Sequence, residues 1–171
     1  LKAGGVINGA GTLTGTSYAV ESGTINANLG TGAATMTKTT SGTVTLTGAN
    51  TYTGATTISA GTLALGSAGT IDGSTTITVG DAGSTGAVLD LTAKTSFNIL
   101  SGQTLKGIGT VNIGGGKTIT VDAGGRWAPG NSIGTNSKVS TIAGGNYNYI
   151  ADNIWQAFIG GGLWNTNGGY G

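Results

Sequence analysis

Three short constellations in this chain carry residue types that could do chemistry. Gly130-Asn131-Ser132-Ile133-Gly134 satisfies G-x-S-x-G, the pattern that lifts a nucleophilic serine out of a strand-to-helix turn. Gly116-Lys117-Thr118 ends like a phosphate-cradling loop. Asp72, Asp81 and Asp90 recur at nine-residue steps, which suggests calcium ligation or acid-base work on a glycan, with Asp90 and Lys94 as the nearest candidate group. Each pattern makes a demand on its surroundings. The serine needs an imidazole base, and the chain contains no histidine. The phosphate loop needs a first glycine where Val111 stands, and a helix where the strand-like Ile119-Thr120-Val121 follows. Ser132 is therefore read as part of a tight turn at the end of the fold, and Lys117 as a surface turn lysine.

What is missing narrows the chemistry further. Without cysteine there is no disulfide framework, no thiolate nucleophile and no zinc-thiolate site. Seven basic and six acidic side chains in 171 residues leave a net charge of +1 and no basic cluster, which argues against nucleic acid as a partner. No apolar run is long enough to span a bilayer as a helix, so a membrane-spanning chain is not expected. No cofactor is expected either. The chain begins at Leu1 without a basic, apolar leader, and the expectation is a mature or excised segment. With so few titrating groups and no histidine, stability is expected to change little between about pH 5 and 8.

The elements that must position these residues announce themselves by repetition. Glycine makes up 36 of the 171 residues, alongside abundant Thr, Val and Ile, while charge is only 8%. That is a β-forming composition rather than a disordered one. Gly23-Thr24-Ile25, Gly42-Thr43-Val44 and Gly61-Thr62-Leu63 follow one another at 19 residues, and Gly80 keeps the step. Thr56-Thr57-Ile58-Ser59-Ala60-Gly61 returns as Thr75-Thr76-Ile77-Thr78-Val79-Gly80, again 19 residues on. Each piece alternates polar and apolar and then breaks at Gly, Ser, Asn or Asp. Short strands at a fixed period are best satisfied by a coil stacked on itself, each strand pairing in parallel with its equivalent above and below. The expectation is an all-β parallel β-solenoid with ~19-residue coils over residues 1–145; about nine coils at the strand spacing would give a rod of roughly 40 Å. On such a coil Asp72 and Asp90 would be neighbours, with Asp81 half a turn away, so the three carboxylates do not converge.

The stretch from Leu46-Thr47-Gly48-Ala49-Asn50-Thr51-Tyr52-Thr53-Gly54 to Thr62-Leu63 resembles the autotransporter-associated β-strand repeat of bacterial type V secretion passengers. Trp127-Ala128-Pro129-Gly130-Asn131-Ser132-Ile133-Gly134 is similar to a Pro-Gly-Asn-Ser-Ile-Gly element of the same passengers. The resemblance implies a right-handed β-helix, export, and a structural role in a secreted protein or at the bacterial cell surface. It implies no particular ligand. Thr-x-Thr rows on a solenoid face are a signature of ice binding. At 19-residue steps, however, the row reads Thr24-x-Asn26, Thr43-x-Thr45, Thr62-x-Ala64, and the pattern is not held.

Residues 146–171 change character. Tyr147, Tyr149, Trp155, Phe158 and Trp164 concentrate the aromatic side chains, and Ile150, Ile154, Trp155, Phe158 and Ile159 fall at helical spacing. A short amphipathic cap over the last coil is expected, or an association surface, since Trp and Tyr are favoured anchors. The sequence thus points to a non-enzymatic structural or adhesive solenoid: a fibre subunit joined end to end through Tyr147, Tyr149, Trp155, Phe158 and Trp164, or a passenger rod meeting a host-surface or glycan ligand. A glycan-binding or glycan-cleaving β-helix is the alternative.

Overall fold

The computed structural model describes residues 1–2, 4–30, 32–81 and 84–128, and beyond them the backbone of three strands, Ser132–Ile133, Lys138–Ile142 and Gln156–Ile159. Every strand pairing among these residues is parallel, and the chain is an all-β parallel solenoid. The first sheet stacks Gly5–Ile7, Gly23–Ile25, Thr43–Leu46, Ala60–Leu65, Thr85–Asp90, Thr110–Asn112 and Ser132–Ile133 in that order. A second stacks Ser17–Val20, Thr35–Lys38, Thr56–Ile58, Thr76–Val79, Thr104–Lys106 and Arg126–Ala128. A third begins later, with Phe97–Ile99, Thr118–Val121, Lys138–Ile142 and Gln156–Ile159, and a short ladder joins Thr12–Leu13 to Asn28–Leu29.

Strand residues alternate between the interior and solvent, so each rung sends two side chains inward. The first sheet builds the columns Ile7–Ile25–Leu46–Leu65 and Val44–Leu63–Leu89–Val111. The second supplies Tyr18–Met36–Thr56–Ile77–Leu105–Trp127 and Val20–Lys38–Ile58–Val79. Ile58, Leu63, Ile77 and Leu89 have no accessible surface, and each such side chain contributes roughly 1.5–3 kcal/mol of burial. Between the second and first sheets the chain turns within Ser59–Gly61. Gly61 makes this corner at φ +65°, and a Cβ there would lie 2.4 Å from the Thr40 carbonyl oxygen of the coil below. Only glycine fits.

The coil is not a constant 19 residues. Along the first sheet the pairs Gly5–Gly23, Gly23–Val44, Thr43–Thr62, Thr62–Val88, Val88–Thr110 and Thr110–Ser132 give steps of 18, 21, 19, 26, 22 and 22. The spacing is about 21 residues and the solenoid makes about six turns, which at the strand spacing is about 29 Å of rod rather than 40. Thr56-Thr57-Ile58 lies against Ile77-Thr78-Val79, two residues beyond the alignment the repeat suggests. A two-residue slip leaves every side chain on the same face, so hydrophobic alternation cannot tell 19 from 21. An odd slip does require a remedy. Between Thr85 and Val88 the register shifts by one, with Gly86 at φ +64°, and this bulge restores the alternation.

The C-terminal expectation needs one correction. Gln156–Ile159, at the centre of the helical spacing, is a strand paired in parallel with Val139–Ile142. The edge of a stacked sheet offers a row of unpaired amides and carbonyls, and a strand satisfies them where a helix cannot. Tyr147, Tyr149, Trp155 and Trp164 lie outside the described residues; Phe158 is described by its backbone alone.

Candidate functional site: side chains that join one coil to the next

The residues singled out for chemistry do not meet. Asp90 sits in the first sheet opposite Ala64 and Asn112, and its Oδ1 accepts the Thr92 amide at 2.8 Å. Lys94 turns its ammonium onto the carbonyls of Ser67 (3.0 Å) and Gly69 (2.9 Å) on the preceding coil. Asp81 is bound into its own turn, where its carboxylate accepts from the Ser84 hydroxyl. Asp72 belongs to the turn before Thr76–Val79, on a different side of the coil from Asp90, so the expected neighbouring pair does not form. Its carbonyl, not its carboxylate, receives the Gln103 amide. The Lys117 ammonium donates to the Thr92 carbonyl one coil down. Ser132 is neither an elbow nor a turn: it forms a rung of the first sheet opposite Thr110. Among the described residues no three carboxylates gather as a metal site.

These contacts are one device used repeatedly. A solenoid corner leaves carbonyls and amides pointing along the axis without ladder partners, and a polar side chain from the next coil fills the gap. Asn26 donates to Asn8 Oδ1 (2.6 Å), and Thr47 donates in turn to Asn26 Oδ1 (2.6 Å), a side-chain ladder over three coils. The hydroxyls of Thr53 and Thr70 donate to Gly32 O (2.9 Å) and Asn50 O (3.2 Å) of the coil below.

The inner members of this set escaped the sequence reading. Asn50 is 4% exposed; its Oδ1 accepts the buried Leu29 amide at 2.8 Å, and its Nδ2 donates to Thr70 O at 2.9 Å. One carboxamide thus clasps the coil below and the coil above. Gln103, also inside the wall, accepts from the Leu100 amide of its own turn (3.3 Å) and donates to Ser74 O (2.8 Å) and Ile71 O (3.3 Å) of the coil below. Tyr52, Thr56 and Ser74 form a buried hydroxyl chain: 2.7 Å from Tyr52 to Thr56, 3.0 Å from Thr56 to Ser74, and 2.8 Å from Ser74 to Gly54 O. Burial pushes the Tyr52 phenol well above its ordinary range; the Thr56 bond offsets this and the nearby Tyr18 adds to it.

Lys38 is the least expected of them. It occupies an inward position between Val20 and Ile58 and has no accessible surface. Its ammonium donates to the Thr40 carbonyl, to the Thr40 hydroxyl (3.3 Å) and to Ala60 O of the next coil (3.2 Å). The Thr40 hydroxyl itself donates to Glu21 O at 2.8 Å, so the group ties three successive coils. Burial lowers the Lys38 pKa, and the charge of Glu21 partly opposes that shift. The available signal was the alternation Thr35-Met36-Thr37-Lys38, which places Lys38 on the same face as Met36.

About half of these coil-joining residues, Lys38, Thr40, Thr47, Asn50, Thr53 and Thr56 among them, fall in one segment. Residues 36–65 carry a passenger-associated transport repeat. That repeat runs from the end of Thr35–Lys38 to the end of Ala60–Leu65 and holds Lys38, Asn50, Tyr52, Thr56 and Gly61. Repeat and solenoid together fit an autotransporter passenger-like repeat protein. No curated protein and no solved structure matches the chain.

Proposed function

We propose that this passenger-like solenoid is a non-catalytic rod in a secreted or cell-surface protein, supplying length and stiffness and a repetitive outer surface. The observation that carries the reading is the use made of its charged and polar side chains. Lys38, Asp90, Lys94 and Lys117, the groups best able to do chemistry, cap backbone atoms, and three of the four reach across to a neighbouring coil. Each coil is hydrogen-bonded to its neighbours by ladders and by these clasps, so tension on the rod is shared over many bonds. The glycan alternative loses ground on the same observation. Asp90 and Lys94 serve separate backbone groups, and Tyr18 and Tyr52, the aromatics that could have formed a sugar platform, are 7% and 1% exposed. Within the proposal, copies join end to end through the segment holding Tyr147, Tyr149, Trp155, Phe158 and Trp164, because a heterologous contact of that kind builds filaments.

Negative-stain electron microscopy over a concentration series tests both levels. Filaments of uniform width that vanish on truncation at Gly145 are expected. Short single rods at every concentration would refute the end-to-end joint and retain the rod. Release of reducing ends from a polysaccharide panel, abolished by Asp90→Ala, would overturn the non-catalytic reading.

A further inference from the structure

The side-chain ladder of Asn8, Asn26 and Thr47 ends at a pair of residues with a chemistry of its own. Asn8 is exposed and is followed by Gly9, the one Asn-Gly pair among the described residues. An asparagine carboxamide lies within reach of the next residue's backbone nitrogen, and attack by that nitrogen on Cγ closes a succinimide ring. A side chain on the attacking residue crowds this approach, and glycine has none. Asn26, Asn28, Asn50, Asn98 and Asn112 precede Ala, Leu, Thr, Ile and Ile. Asp72-Gly73 has the same unhindered nitrogen but offers it a carboxylate, a far poorer electrophile. Within the described residues the Gly9 amide donates no hydrogen bond, so nothing holds its nitrogen away from Cγ. The chain is anchored on either side: the Ile7 and Gly11 carbonyls accept the Asn26 (2.8 Å) and Asn28 (3.1 Å) amides of the next coil. Asn8-Gly9-Ala10 spans the gap between these anchors.

We propose that Asn8 is a self-modifying site, at which the folded rod deamidates with the assistance of Asn26. The Thr47 hydroxyl donates to Asn26 Oδ1, which leaves Asn26 Nδ2 directed at Asn8 Oδ1, 2.6 Å away. That donor polarises the Asn8 carbonyl and holds the oxyanion formed when the Gly9 nitrogen attacks. The nitrogen gives its proton to hydroxide and bonds to Asn8 Cγ. The tetrahedral adduct then collapses, and Nδ2 leaves as ammonia with a proton from water. Water opens the resulting succinimide at either carbonyl, giving aspartate or isoaspartate. In sum, water is consumed and ammonia released, with no change of oxidation state. Either product keeps an oxygen for Asn26 and places a carboxylate on an exposed corner, which removes the chain's formal net charge of +1. The reaction runs one way, so the modified fraction grows with the age of the protein.

The test incubates the full chain at mildly alkaline pH, folded and in urea, and follows each asparagine by peptide mass spectrometry. In the folded protein Asn8 should convert to both isoaspartate and aspartate, while Asn26, Asn28, Asn98 and Asn112 stay largely intact. Asn26→Leu removes the donor at an exposed position and should slow conversion of folded Asn8 about fivefold, the factor an ordinary hydrogen bond supplies. Asn26→Asp keeps the shape but turns an acceptor toward Asn8, and should slow it at least as much. In urea, where the ladder is gone, neither substitution should matter. Asn167-Gly168, outside the described residues, is the internal reference and should convert at one rate in every variant. An Asn8 that stays intact when folded but converts in urea would overturn the proposal, as would aspartate without isoaspartate. So would a folded Asn8 rate that both Asn26 variants leave unchanged or raise.

Discussion

Asn50 offers the most direct trial of the idea that inner polar side chains hold the coils in place. Asn50→Ala strips the Leu29 amide and the Thr70 carbonyl of their partners at 2.8 and 2.9 Å, in a wall where Leu29 has no accessible surface. Each orphaned buried group costs about 1–3 kcal/mol. With two such groups, and a small void where the carboxamide stood, the expected loss is about 3–5 kcal/mol. For a chain of this length that lowers the midpoint of thermal unfolding by roughly 6–20 °C. Asn50→Asp discriminates further, because it keeps the shape and changes one donor into an acceptor. A carboxylate still accepts from Leu29 but meets the Thr70 carbonyl with a second oxygen, whereas a protonated carboxyl donates to it. Burial and that contact both favour the neutral acid, so the folded-state pKa of the new carboxyl lies above its unfolded value of about 3.9. Linkage then fixes the sign: the stability of Asn50→Asp is full below pH 4 and is lost as pH rises through the raised value. Urea midpoints by circular dichroism, at pH 3.5 and pH 7 for wild type and both variants, measure this. An Asn50→Ala within about 1 kcal/mol of wild type, or an Asn50→Asp insensitive to pH, would refute the reasoning.

Four further outcomes follow from the contacts and backbone geometry described above. Because burial holds the Tyr52 phenol neutral, its contribution is intact below the ordinary tyrosine value of about 10 and is lost as pH rises beyond it; Tyr52→Phe should flatten that alkaline decline in urea midpoints, at about 1 kcal/mol of stability at pH 7 for the lost Thr56 bond. Lys38 has the opposite sign: with its folded pKa lowered, stability should climb as pH rises toward the unfolded value of 10.5, and in a Tyr52→Phe background Lys38→Met should abolish that climb. Gly61→Ala meets both a positive φ and the Thr40 carbonyl, and should cost at least about 2 kcal/mol in urea unfolding. Gly86→Ala, at φ +64° with nothing within 4 Å of its Cβ, should cost only about 1 kcal/mol for the backbone.

Much of this molecule is legible without coordinates. Period-2 alternation with glycine breaks is enough to require short strands, and their recurrence is enough to require stacking, because no single coil can bury its own inner face. The inward identity of Val44, Leu63, Ile77 and Leu105 follows from parity alone. The absence of histidine and cysteine removes whole classes of chemistry whatever the fold. What the chain alone leaves open is the phase. Parity is preserved by any even slip, so the choice between pairing Thr57 with Thr76 and pairing it with Thr78 falls to contacts between residues about 20 apart: Asn50 with Leu29 and Thr70, and the glycine corners pressed on neighbouring carbonyls. The same long-range geometry decides that Lys38 is an internal clasp, since an inward lysine is acceptable only where corner carbonyls from two coils converge on its ammonium. It decides, too, which threonines share a face. Local pattern sets which way each side chain points, and only the stacking of distant coils sets which side chains it stands beside.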